Sequence, residues 1–341
     1  MTSADQLRAL PKVCLHEHLD GALRPQTVAE LADASGVMLP SAAEDLGRWF
    51  FNNASAGTLV GYLRTFDPTV AVLQEPEQLA RVARELTLDL AVDGVAYGEV
   101  RWAPEQHLTR GFSMRELIAG VWQGLTEGMA LSAAQGRPIE VRQLVTSLRQ
   151  LEPNTTTAQV AVQCADLGVV GFDLAGAELG YPAERFADAC RIITEAGLGL
   201  TVHAGEADGP ASIAGALSVG ATRIGHGIRL IEDCPDGQLG PVARAVLERG
   251  VTLEVCPSSN LQTGVASMAD HPVTRLRDLG FPVSISCDNR LMSRTTATAE
   301  FEQLAAEHGW TIADFAQAAR VGLAAAFIDE PTRQSIANRL G

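Results

Sequence analysis

The chain has 341 residues, enough for two average domains or one large α/β domain with a sizeable core. Hydrophobic residues make up 46% and charged residues 20%, and the net charge of −15 argues against a nucleic-acid partner, which needs a surplus of lysine and arginine. No apolar run approaches the roughly 18 residues that span a membrane, and "MTSADQLRALPK" lacks the basic start and apolar core of a secretory signal, so a soluble cytoplasmic protein is expected.

The first element is read in "PKVCLHEHLDGALRP", residues 11–25. Alternate residues of a strand share a face, so a strand over 13–19 points His16 and His18 the same way, with Glu17 opposite. A long connection follows, residues 20–94, far more than one crossover helix requires. Within it "LADASGV", "EDLGRWFF" and "GTLVGYLRTFD" read as short helices, an insertion over about residues 24–77. Leu59, Tyr62, Leu63 and Phe66 fall at helical spacing there, which fits a lid or simple packing.

Seven more β-rich runs alternate with amphipathic helices: residues 95–103, 139–148, 169–174, 199–205, 223–228, 252–259 and 282–289. Helices are expected over 78–93, 182–196 and 240–250. Near-continuous apolar strands separated by helices predict a parallel sheet covered on its faces. Eight such units close a (β/α)₈ TIM barrel, here one domain over 1–341 with a helical insertion after the first strand and extra C-terminal helices. A doubly wound sheet is the rival, but no G-x-G-x-x-G turn opens the first unit. The six cysteines (14, 164, 190, 234, 256, 287) show no C-x-x-C spacing and fit reduced thiols.

Seven histidines are present, at 16, 18, 107, 203, 226, 271 and 308. Four of them (16, 18, 203, 226) lie in strand candidates, where a barrel enzyme keeps its chemistry, and Asp288 ends the eighth strand. His16, His18, His203 and Asp288 make a set of three nitrogens and one oxygen that suits Zn²⁺ or another divalent first-row ion. Glu206, just past a strand end in "VHAGE", reads as a general acid or as a helix N-terminal glutamate. His226, in "GHG", reads as a group that orients water or moves its proton, or as a core histidine.

Taken in order, "CLHEHLDGALRP", "GVVGFDLAGAE", "TVHAGE", "RIGHGI", "LEVCPSSNLQTG" and "SISCDNRLMS" resemble the adenosine deaminase family of the amidohydrolase superfamily, in its actinobacterial "DNRLMS" branch. The resemblance implies zinc held by His16, His18, His203 and Asp288, one ion per chain. It implies that Glu206 protonates purine N1, that His226 and Asp288 assist the attacking water, and that His18, Asp20, Gly176 and Asn289 contact the substrate. Asp20 would bond the ribose 5′-hydroxyl, Gly176 would offer its N–H to N3, and Asn289 would face N7. The implied reaction turns adenosine or 2′-deoxyadenosine into the inosine counterpart and ammonia. "HLDG" favours a ribosyl substrate over free adenine, and Asp20 would repel a 5′-phosphate. A modified adenosine such as aminodeoxyfutalosine, adenine itself, another zinc hydrolase reaction and a catalytically dead nucleoside-binding protein are the alternatives. Three residues depart from the family pattern: Cys14, Ser286 and Cys287, of which the last two are expected to reshape the pocket floor. The sequence carries no signal for an oligomeric state.

Overall fold

The computed structural model describes residues 4–340; residues 1–3 and 341 of the single-domain reading lie outside it. Each expected strand is present: β1 (Lys12–His18), β2 (Val95–Trp102), β3 (Glu140–Leu148), β4 (Val169–Ala175), β5 (Gly199–Ala204), β6 (Arg223–His226), β7 (Thr252–Val255) and β8 (Val283–Ile285). They form one eight-stranded parallel sheet in sequence order. The seam between β8 and β1 is closed by two backbone bonds, His18 N–H to Asp288 O at 2.8 Å and Asp288 N–H to His16 O at 2.9 Å. Ser286 Oγ adds to it by accepting the N–H groups of Leu15 and His16 at 3.1 and 3.2 Å. This is the (β/α)₈ barrel.

Two strands end four residues short of expectation, and the other ends agree within two. β7 stops at Val255, and Pro257–Thr263 is a helix rather than the continuation of "TLEVCPSS". Pro257 lacks the N–H a ladder needs and has the fixed φ that opens a helix. β8 stops at Ile285, short of the expected residue 289, and Asp288 has a φ of 64°, which no strand adopts.

The strands are also less apolar inside than "near-continuous apolar" implied. Glu99 and Arg101 of β2, Arg223 of β6 and Glu254 of β7 are buried to 1% exposure or less. Strands β2 and β7 are not sheet neighbours, so their side chains meet across the barrel interior. Arg101 pairs with Glu254 at 2.7 Å, and Arg223 bridges Glu254 at 2.6 Å and Glu99. Alternate residues of the same strands (Val100, Trp102, Ile224, Leu253) pack outward into the apolar cluster that includes Leu86 and Leu125 of the covering helices.

Between β1 and β2 lie the helices Pro25–Ser35, Leu46–Ala54 and Leu59–Leu63, followed by Pro76–Val92. Leu46, Phe50 and Ala54, four apart, bury one face of the second. Thr58 starts the third by accepting the N–H of Gly61. After β8 come the expected extra helices, Ala297–His308, Ile312–Ala325 and Glu330–Leu340. No helix among the described residues is long and apolar enough to cross a membrane.

The interior ion pairs generate a stability prediction. Removing one partner strands the others without compensation, so Arg223→Ala should cost about 3–5 kcal/mol in urea unfolding. A loss under about 1 kcal/mol would show that Glu99 and Glu254 do not depend on it.

Candidate active site

The site gathers at the C-terminal ends of the strands. His16 and His18 come from β1, His203 from β5, and Asp288 from the turn after β8. One ligand atom from each lies within 4.8 Å of the others. His18 Nε2 is 3.3 Å from His203 Nε2, and Asp288 Oδ1 is 3.3 Å from His16 Nε2 and 3.2 Å from His18 Nε2.

The far side of two rings explains which nitrogen faces inward. His16 Nδ1 is 2.9 Å from Glu254 Oε2, and His203 Nδ1 is 3.0 Å from Asp173 Oδ1. A carboxylate only accepts, so each Nδ1 carries the proton and each Nε2 presents a lone pair to the cluster. Glu254 is itself held by Arg101, Arg223 and Thr201, and Asp173 by Arg101 at 3.5 Å and Thr146. His16 Nε2 is buried with no hydrogen-bond partner. Lone pairs of imidazoles and a carboxylate oxygen facing one another repel unless a cation lies between them. The donor set therefore fits a divalent ion, with the carboxylate–histidine support usual at such sites.

Burial opposes ionisation of Asp288, yet the neighbouring His16 and His18 rings hold its carboxyl well below the usual carboxylate range. Ser259 Oγ donates to its Oδ2 at 2.6 Å. Two of the four non-glycine residues with positive φ among the described residues are Asp288 (64°) and His226 (61°). Such backbone is costly and persists where its surroundings fix it, and here it aims both side chains into one site.

Glu206 stands opposite the cluster in a tight loop that needs Gly205 at a φ of 71°. Glu178 fixes that loop, its carboxylate accepting the N–H groups of Gly205, Glu206, Ala207 and Asp208 at 2.6, 3.1, 2.6 and 3.0 Å. Burial, and after it the charges of Asp288 and Glu178, push the Glu206 carboxyl well above its ordinary range. Its surroundings thus favour the protonated form more than those of an exposed glutamate do. His226 Nε2 lies 3.6 Å from Glu206 Oε2.

Leu59, Tyr62, Leu63 and Phe66 of the insertion cover this chemistry. The space directly between them and the cluster is only about 30 Å³, near the share of one liquid water molecule. A cavity of about 340 Å³ adjoins it on the side of Asp20 and Gly176, and one of about 650 Å³ on the side of Glu206. Asp20 is buried with Oδ1 unpartnered, and Gly176 has a φ of 92°. Asn289 lines the small central space.

All nine expected site residues therefore converge on one region. Cys287 and Ser286 do not bear out the expected reshaping of the pocket floor. Neither lines these cavities: Ser286 bonds the barrel seam, and Cys287 is fully buried beside Glu17. The supporting residues Asp173, Glu254, Glu178, Asn260 and His271 went unassigned in the sequence. A signal was present for two of them, since Asp173 and Glu254 are acids in the middle of β4 and β7.

The chain matches the adenosine deaminase family over residues 11–341. It is 45% identical to adenosine deaminase 1 of Streptomyces coelicolor over 345 aligned residues, spanning 98% of this chain and 87% of that one. Among solved structures, an adenine deaminase from Arthrobacter aurescens superimposes with a TM-score of 0.84 at 26% identity, covering 97% and 98% of the two chains. A Burkholderia ambifaria amidohydrolase with bound Zn gives a TM-score of 0.82 at 26% identity, covering 100% of this chain and 93% of the other. The chain belongs to the adenosine deaminase family.

Proposed function

We propose that the protein is a zinc-dependent deaminase that converts adenosine and 2′-deoxyadenosine to inosine and 2′-deoxyinosine, releasing ammonia. One observation carries this reading: a buried Glu206 faces His18, His203, His226 and Asp288 across one small space. An ion held by His16, His18, His203 and Asp288 supplies the Lewis acidity that makes water nucleophilic near neutral pH. The protein's own groups do the rest.

Glu206 holds its proton at the position of purine N1 and delivers it as C6 accepts oxygen and the ring loses aromaticity. Asp288 orients the attacking water, and His226 stands beside it. Gly176 offers N–H to N3, and the Asn289 amide offers N–H to N7, an acceptor. Asp20 accepts from the ribose 5′-hydroxyl in the adjoining cavity, where a second negative charge from a 5′-phosphate would be repelled. The central space is too small for a purine, so the segment Leu59–Phe66 serves as a lid that withdraws to admit it. A cytoplasmic location is supported by the six free, buried cysteines.

Three predictions follow the roles. Asp173→Asn removes a pure acceptor from His203 and should weaken metal retention about 10- to 100-fold in chelator competition. Unchanged retention would separate Asp173 from the metal. Glu206→Gln should keep the metal and bind a ground-state nucleoside, but lose about 10²–10⁴-fold in turnover. Turnover within about tenfold of the parent would assign the proton to another group. Asn289→Ala should cost about 1–3 kcal/mol in kcat/KM for adenosine. The parent should handle 7-deazaadenosine, which lacks the N7 acceptor, more poorly than adenosine, and that penalty should shrink in Asn289→Ala. An equal penalty in both proteins would exclude contact with N7.

A further inference from the structure

A chain of three buried side chains runs from a backbone amide into the reaction cavity. Val273 N–H lies 3.2 Å from His271 Nδ1. His271 Nε2 lies 3.2 Å from Asn260 Oδ1, and Asn260 Nδ2 lies 3.0 Å from His226 Nδ1. His271, Asn260 and His226 are 3%, 0% and 1% exposed, so no bulk solvent competes for these bonds.

The direction of every link follows from its first member. A backbone N–H only donates, so His271 Nδ1 accepts and carries no proton. A neutral imidazole has one N–H, which puts it on His271 Nε2. The atom of Asn260 facing that N–H must accept, so it is the amide oxygen, and the amide nitrogen points at His226. His226 Nδ1 therefore accepts, and its single proton sits on Nε2, the nitrogen turned toward Glu206. Burial lowers His271 to about 3, which agrees with its neutral form.

We propose that His271 and Asn260 are positioning residues that lock His226 as the Nε2–H tautomer, so that in the resting enzyme His226 donates a hydrogen bond into the cavity and does not take a proton there at Nε2. This deepens the reading of His226 given above and rests on it. The two roles left open by the sequence, orienting the water or accepting its proton, are thereby separated. A nitrogen that already carries hydrogen has no lone pair for an incoming proton. His226 thus holds the attacking oxygen in place as a donor, and the Asp288 carboxylate is the neighbouring group with lone pairs to accept. The link reaches well outside the site: His271 lies between the helix Pro257–Thr263 and the helix Val273–Asp278, away from the four metal ligands.

The tautomer is readable without any turnover. In protein labelled with ¹⁵N in its histidine rings, with and without added zinc, His226 should show an unprotonated Nδ1 and a protonated Nε2. His271→Leu should release Asn260, mix the two His226 tautomers and lower kcat about 10- to 100-fold, with KM for adenosine changed less. His271→Gln, whose amide can accept from Val273 and donate to Asn260, should recover most of both. A protonated His226 Nδ1 in the parent would overturn the proposal, as would an unchanged tautomer and kcat in His271→Leu. Failure of the deaminase reading itself looks different: the parent would show the expected tautomer and release no ammonia from adenosine.

Discussion

A carboxylate can accept a hydrogen bond and cannot donate one, and the site depends on that constraint. Glu254 and Asp173 sit behind His16 and His203 and take the Nδ1 protons, which turns both Nε2 lone pairs inward. Neither acid is free to ionise in an apolar core unaided. Burial raises the cost, and Arg101 and Arg223 more than offset it, holding Glu254 well below its ordinary range. The charged barrel interior is therefore the foundation on which the ligand set stands. Hydrophobic layers in the same place would pack as well and leave the histidine tautomers undefined.

A second division of labour follows from burial. The same low-dielectric pocket pushes the Glu206 carboxyl up and the Asp288 carboxyl down from the ordinary range, because their neighbours differ. Asp288 meets two imidazoles, whereas Glu206 meets the charges of Asp288 and Glu178. Environments that push two carboxyl groups apart assign one as acid and leave the other ionised. Leu59, Tyr62, Leu63 and Phe66 give this space an apolar border. The loop bearing Glu206 is fixed by Glu178 through four backbone amides, so main-chain geometry sets where this carboxyl stands, and Thr263 is its side-chain hydrogen-bond partner.

The barrel was legible because each strand is a short run bounded by helix signals, and β1 to β8 pair in the order in which they occur. The candidate metal cluster was legible because His16 and His18 share a strand face and His203 and Asp288 lie at or just past strand ends. The supports were harder to read. Asp173 and Glu254 interrupt apolar strands, which signals a buried partner but not which one; only barrel closure brings β7 across to β1. Ser259 and Asn260 were hidden by extending β7 through Pro257, although a proline there favours a helix start. His271 has no local signal, since its meaning comes from Asn260 and Val273 through the turn between two helices. Cys287 looked like a pocket residue by its place beside Asp288, yet its side chain is fully buried beside Glu17 and lines none of the cavities at the site.

A divalent ion held by His16, His18, His203 and Asp288 would have nitrogen and oxygen donors only. X-ray absorption at the zinc edge, on protein purified without added metal and with its metal content measured in parallel, tests it most directly. The expected result is about one zinc per chain, with imidazole scattering and an oxygen donor in the inner shell and no sulfur. A sulfur shell would move the metal to a cysteine, and a protein that neither retains nor takes up zinc at this site would contradict the account outright.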